Sequence, residues 1–115
     1  MNKIVHILTH MYVYLIGEKD HKYVDFYKIG VAKDIERRRK QLQTGNPRGL
    51  YIMAYKRFSN PYYIESRIHF CLSGSHVRGE WFRLSSLQLT WIKNRLSRKK
   101  TFSFMLLLDR YLTLW

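Results

Sequence analysis

Glu65 and His69 stand four residues apart in PYYIESRIHFC, a spacing that puts both side chains on one face of a helix. A lone carboxylate there, completed by water and substrate phosphate, suits Mg²⁺ or Mn²⁺ better than a closed cage of protein ligands would. His69 could orient that carboxylate or contact a phosphate, or it could be a structural histidine. Upstream, Lys28 in YKIG precedes the basic run Arg37-Arg38-Arg39-Lys40. An arginine holds a phosphate oxygen in a fork and a lysine supplies a point charge, so this half of the sequence is equipped for phosphate. A zinc site from His69, Cys71 and His76 has no CxxC or HxxxH pair behind it, and Cys71 reads instead as a small buried residue.

These residues need elements to position them. MYVYLI at 11–16 is β-branched and aromatic and ends at Gly17, which predicts a strand running into a polar loop over 17–22. A second strand follows over roughly 24–31, and the pair reads as an antiparallel hairpin with a connection longer than a tight turn. Helical periodicity takes over at 33–44, with Ile35 and Leu42 on one stripe, and Gly45, Asn46 and Pro47 end the helix. Residues 50–58 predict a strand in which Tyr51, Met53 and Tyr55 alternate against Ile52 and Ala54. Asn60-Pro61 is a helix start, with an N-cap acceptor before a proline, and the helix should reach about Leu72 on a stripe of Ile64, Ile68, Cys71 and Leu72 before Gly74 stops it. GEWFRL at 79–84 reads as a short strand, with Trp81 and Phe82 in the core and Glu80 outside the site. A third helix covers 86–96 with Leu87, Leu89, Trp91 and Ile92. The fold class expected is α/β of the α+β kind: a small three-stranded antiparallel or mixed sheet flanked by helices.

Composition sets the partners. The 115 residues carry 21 Lys and Arg against 8 Asp and Glu, a net charge of +13, while 46% are apolar and 16% aromatic. That is enough apolar material for a core, so the charge belongs to a folded domain rather than to a disordered basic tail. A polyanion is the natural partner: nucleic acid first, an anionic membrane surface second, an acidic protein third. The single cysteine excludes an intramolecular disulfide, and the N-terminus makes a poor signal peptide. An intracellular, cytoplasmic setting is therefore expected. The apolar run 102–108 is far shorter than the roughly 20 residues needed to cross a bilayer, and no membrane partner is expected.

Five segments taken in order, YVYLI, a strand ending KIG, KDIERRRKQLQTGNP, a helix with Glu-x-x-x-His, and GEWF, resemble the GIY-YIG nuclease superfamily. The likeness is to its short single-domain branch, found often in viruses; for a viral protein the setting would be the host cytoplasm. The resemblance implies a metal-dependent phosphodiesterase on a three-stranded antiparallel sheet. It assigns Tyr14 the place of, or near, the general base, since Tyr12-Val13-Tyr14 fills the GIY slot. It maps the second motif to Lys28-Ile29-Gly30, the helix arginine to Arg38, ten residues after Lys28, and the metal-binding glutamate to Glu65. Two positions depart from the founding pattern: Lys28 stands where it has tyrosine, as is common in this branch, and Tyr12 replaces its first glycine.

Cleaving a phosphodiester requires a water nucleophile, a group that takes its proton, and positive charge where negative charge grows. A tyrosine titrates near pH 10, and cations such as Lys28 and Arg38 beside Tyr14 would favour its phenolate. The expected catalytic set is thus Tyr14, Lys28, Arg38, Glu65 and His69. Arg37, Arg39 and Lys40, with Arg98, Lys99 and Lys100 of the tail, are expected to hold a nucleic-acid backbone, DNA before RNA. Domain boundaries are placed at 1–10 for an N-terminal extension, 11–84 for the nuclease-like portion and 85–115 for a helix and a basic, apolar tail through which a dimer could form. The competing expectation is a nucleic-acid-binding module on the same fold that does not cut.

Overall fold

The computed structural model describes residues 11–20 and 23–97. The expected roles of residues 1–10 and of the tail, including Arg98, Lys99 and Lys100, fall outside the described residues.

Five strands make one antiparallel sheet in the order β3-β1-β2-β5-β4. They are β1 (Met11–Asp20), β2 (Tyr23–Ala32), β3 (Gly49–Phe58), β4 (His76–Arg78) and β5 (Trp81–Phe82). Three helices are interspersed: α1 (Ile35–Gln43), α2 (Pro61–Cys71) and α3 (Ser86–Arg95). The α+β class is as expected, but the sheet has five strands rather than three, because GEWF contributes half of a small hairpin. His76–Arg78 supplies the other half, and Gly79, at φ +56°, takes the left-handed turn conformation between them.

β1 lies between β3 and β2 and over 13–16 is buried on both faces, which is why that stretch is continuously apolar. Side-chain alternation then divides the molecule into two cores. Tyr14 and Ile16 face α1 and pack with Ala32, Ile35 and Leu50. Val13 and Leu15 face the other way, onto Ile64, Ile68 and Leu72 of the α2 segment and Trp91, Ile92 and Leu96 of the α3 segment, with Tyr27, Ile29 and Phe82. α3, outside the nuclease-like portion in the sequence reading, therefore shares the larger core.

Several local expectations are corrected. Gly17 does not end β1: Gly17, Glu18, Lys19 and Asp20 continue the ladder to β2, leaving only 21–22 between the strands. Pairing on both sides overrides weak strand propensity here, and Glu18 is further tied by Arg48 at 2.9 Å and Asn46 at 3.3 Å. In β3, Leu15 pairs Ala54 but Ile16 pairs Ile52, so a bulge at Met53 breaks the expected alternation. Tyr55 consequently lies opposite Tyr14 and Tyr51 opposite Gly17, on different faces. α2 begins at Pro61 as expected, but Asn60 makes no side-chain capping bond. In α3, Leu87 is exposed rather than in the apolar stripe, while Ser85 and Gln88 form a reciprocal capping box at the helix start.

Candidate active site

Tyr14 is 1% exposed, and its ring lies across Gly30, its cross-strand partner on β2. A Cβ at Gly30 would stand 2.5 Å from the Tyr14 hydroxyl oxygen, so the glycine is there for space, not for backbone freedom. Arg38 reaches the phenol from α1 and hydrogen-bonds it. It does so because Ile35, Arg38 and Leu42 recur at i, i+3 and i+7 along one stripe of a helix that Asp34 caps through the Arg37 N–H at 3.0 Å. Arg37 and Lys40 fall on the exposed side, and Arg39 is paired with Glu36 at 2.7 Å.

Burial pushes the Tyr14 phenol above its ordinary value. The Arg38 guanidinium pulls it down through the hydrogen bond and its charge, and the Glu80 and Glu65 carboxylates push it up again. The net direction is upward, which corrects the expectation that neighbouring cations leave the phenolate favoured. Desolvation outweighs Arg38, and Lys28 is not among the groups that move the phenol.

Lys28 lies on β2 in the row beside Gly30, on the same face, and is 7% exposed. A buried ammonium needs a partner, and Glu80 provides it: Lys28 Nζ stands 2.9 Å from Glu80 Oε2 and 5.4 Å from the centre of the Trp81 ring. β5 brings both residues into place, since Trp81 pairs with Lys28 and the Glu80 carbonyl accepts from the Ile29 N–H at 3.3 Å. Trp81 is accordingly half-buried against Lys28 and the smaller core, whereas Phe82 is fully buried as expected. Glu80 is the functional candidate that sequence reasoning passed over. Its signal was scarcity: it is one of 8 acids, and it stands beside two large aromatics that had to meet the sheet.

Glu65 and His69 come from α2. The His69 Nε2–H donates to the Ile29 carbonyl at 2.9 Å and lies 3.8 Å from Glu65 Oε1, and its ring meets Phe82 edge-on at 4.9 Å. β5 pairs with β2 only at Tyr27 and Lys28, so His69 satisfies the carbonyl just past the end of that pairing. The imidazole thus bonds the backbone of the strand that carries Lys28 and Gly30, with Glu65 one turn before it on the helix. Burial raises the Glu65 carboxyl above the usual carboxylate range; the Glu80 charge adds to that, and His69 and Lys28 oppose it.

Among the described residues no group of three His, Cys, Asp or Glu side chains could cage a metal ion, which leaves the zinc alternative without support. The donor chemistry that is present fits a hard divalent cation: Glu65 is a half-buried carboxylate with a second carboxylate near it, and a cation would relieve both the desolvation and the repulsion. Tyr14, Lys28, Arg38, Glu65 and Glu80 are electrostatically connected, although they come from β1, β2, α1, α2 and the β4–β5 turn.

Comparison with known families matches residues 11–97 to the T5orf172 domain, from the first residue of β1 past the end of α3. No curated protein and no solved structure gives a significant match.

Proposed function

The chain belongs to the T5orf172 domain family, which is associated with nuclease-like domains, and from this and the Tyr14 cluster we propose that it is a metal-dependent endonuclease of the GIY-YIG type. The substrate is nucleic acid, DNA before RNA. The observation that carries the reading is the convergence of a buried tyrosine, two cations and two carboxylates from five separate parts of the chain.

In this proposal Glu65 holds one Mg²⁺ or Mn²⁺, which when bound supplies Lewis acidity at the scissile phosphate. The chain's own groups do the rest. Arg38 and Lys28 present positive charge where the phosphorane gains negative charge, and the low exposure of Lys28 means that little water dilutes its field. Glu80 keeps the Lys28 ammonium in one place. Tyr14 takes the proton from the attacking water, and Arg38 stabilises the phenolate that this needs. His69, bonded to the Ile29 carbonyl, fixes α2 against β2 and so sets the height of Glu65.

A module on the same fold that binds nucleic acid without cutting is the competing reading, favoured by the burial that holds Tyr14 protonated. Supercoiled plasmid incubated with the protein and Mg²⁺ or Mn²⁺ separates the two. Wild type should nick the plasmid, while Glu65→Ala and Tyr14→Phe should be slower by about 100-fold or more, the scale on which a catalytic group counts. Equal nicking by wild type and Glu65→Ala overturns the enzyme assignment, and metal-independent binding with no cutting assigns the chain to the binding module.

A further inference from the structure

We propose that Tyr12, Tyr55 and Arg57 form a subsite for unpaired nucleotides next to the Tyr14 site, so that the preferred substrate is a nucleic acid with a single-stranded flap or end rather than an uninterrupted duplex. The proposal rests on the proposed function only in taking Tyr14 as the place where the scissile phosphate sits.

The bulge at Met53 is what creates the subsite. It puts Tyr55 directly opposite Tyr14, and Tyr12 directly opposite Arg57, on the face of the sheet that carries Tyr14. Tyr12 and Tyr55 are diagonal neighbours whose rings meet at 5.8 Å and 75°, edge to face. Edge-to-face packing braces the two rings against each other and still leaves aromatic surface uncovered: Tyr55 is 50% exposed. The two rings, with Lys56 and Arg57, line a surface groove of about 390 Å³.

An aromatic face flanked by cations matches a nucleotide, whose base stacks while its phosphate meets the charge. The Tyr14 hydroxyl lies over Gly30 on β2 and Tyr55 stands on β3, two strand spacings or about 10 Å apart, a gap that a nucleic-acid strand bound at Tyr14 can span. The same geometry chooses between duplex and single strand. Inside a duplex both faces of every base are covered by neighbouring base pairs, and no face is left for a tyrosine. A base in a flap, a fork or a frayed end has a free face. Tyr12 occupies the motif position that is glycine in the founding GIY pattern, so this chain has an aromatic ring where that pattern has no side chain.

Binding is read without cleavage, in EDTA at fixed salt, by fluorescence anisotropy of a labelled blunt duplex and of the same duplex carrying an oligothymidine flap. Wild type should bind the flapped DNA more tightly. Tyr55→Ala should weaken flap binding by about 5- to 150-fold, the loss that follows removal of one base–aromatic stack, and leave the blunt duplex within about twofold. Tyr55→Trp should keep the preference, because stacking requires a ring and not a hydroxyl. Since Tyr55 is half-exposed, Tyr55→Ala should stay folded, its melting temperature lowered only by the few degrees that loss of the Tyr12 contact costs. A wild type without flap preference, or a Tyr55→Ala variant that loses both DNAs equally or neither, overturns the subsite. Loss of the preference mechanism in a protein that still nicks plasmid sinks the subsite alone. A protein that prefers flaps through Tyr55 and yet nicks nothing with Mg²⁺ or Mn²⁺ sinks the nuclease reading and leaves the subsite standing.

Discussion

On the proposed function, Tyr14 sets the pH behaviour of the site. Its phenol is raised by burial more than Arg38 lowers it, so near neutrality the phenolate is the minor form. Below the phenol's pKa that form increases about tenfold per pH unit, and a nicking rate limited by it should climb from about pH 7 to about pH 9 without a plateau. A rate that is flat over this range removes Tyr14 from the role of base. Stability follows the opposite direction. A raised pKa means that the fold favours the protonated phenol, so its contribution is complete below the ordinary tyrosine value and is lost as pH rises through the folded value. Tyr14→Phe should therefore lack that part of the alkaline loss in melting temperature. Motif order named Tyr14, Lys28, Arg38 and Glu65 as candidates, and the fold brings them together. The burial that reverses the Tyr14 shift was not legible, because desolvation depends on how α1 and β2 close over the ring. The place of Glu80 beside Lys28 and of Tyr55 in the proposed subsite was not legible for a related reason: their neighbours are set by a two-residue strand pairing and by a bulge, neither of which leaves a periodic trace.

β2 is the element that joins the two halves of the site. Lys28 and Gly30 face the α1 side, Ile29 faces the larger core, and the Ile29 carbonyl accepts from His69. His69→Ala would leave this carbonyl bare on a part-buried edge, at a cost of about 1–3 kcal/mol. A lowered urea midpoint together with lost nicking is the expected result. An unchanged midpoint with lost nicking would instead give His69 a direct contact with substrate, the other role its spacing from Glu65 allows. Helices were the more legible elements: α1, α2 and α3 lie within a residue or two of their expected limits, since capping residues, Pro61 and the apolar stripes are local signals. The sheet was less legible. Gly17, Glu18 and Lys19 look like a loop in one dimension and become strand because β2 and β3 pair with them from both sides.

For the whole molecule, +13 is a statement about salt. If the domain holds its substrate mainly by phosphates, log K against log salt should fall with a slope of about −0.9 for each phosphate neutralised on duplex DNA. Replacing exposed Arg37 or Lys40 by Ala should reduce that slope by about one contact each and leave flap preference alone. A slope unchanged by both substitutions would take the outer face of α1 out of the interface. Among the described residues no helix is long and apolar enough to cross a membrane. The charge is also spread unevenly in time. Tyr14, Lys28 and Arg38 leave the ribosome early, Glu65 follows, and Glu80, which pins Lys28, comes only with the last hairpin. A message cut short before residue 80 therefore encodes the cationic half of the site without the full pair of carboxylates. Such a product also lacks Phe82, Trp91, Ile92 and Leu96 of the larger core and should not fold, so the stretch that completes the charge balance of the cluster is the one that completes the core.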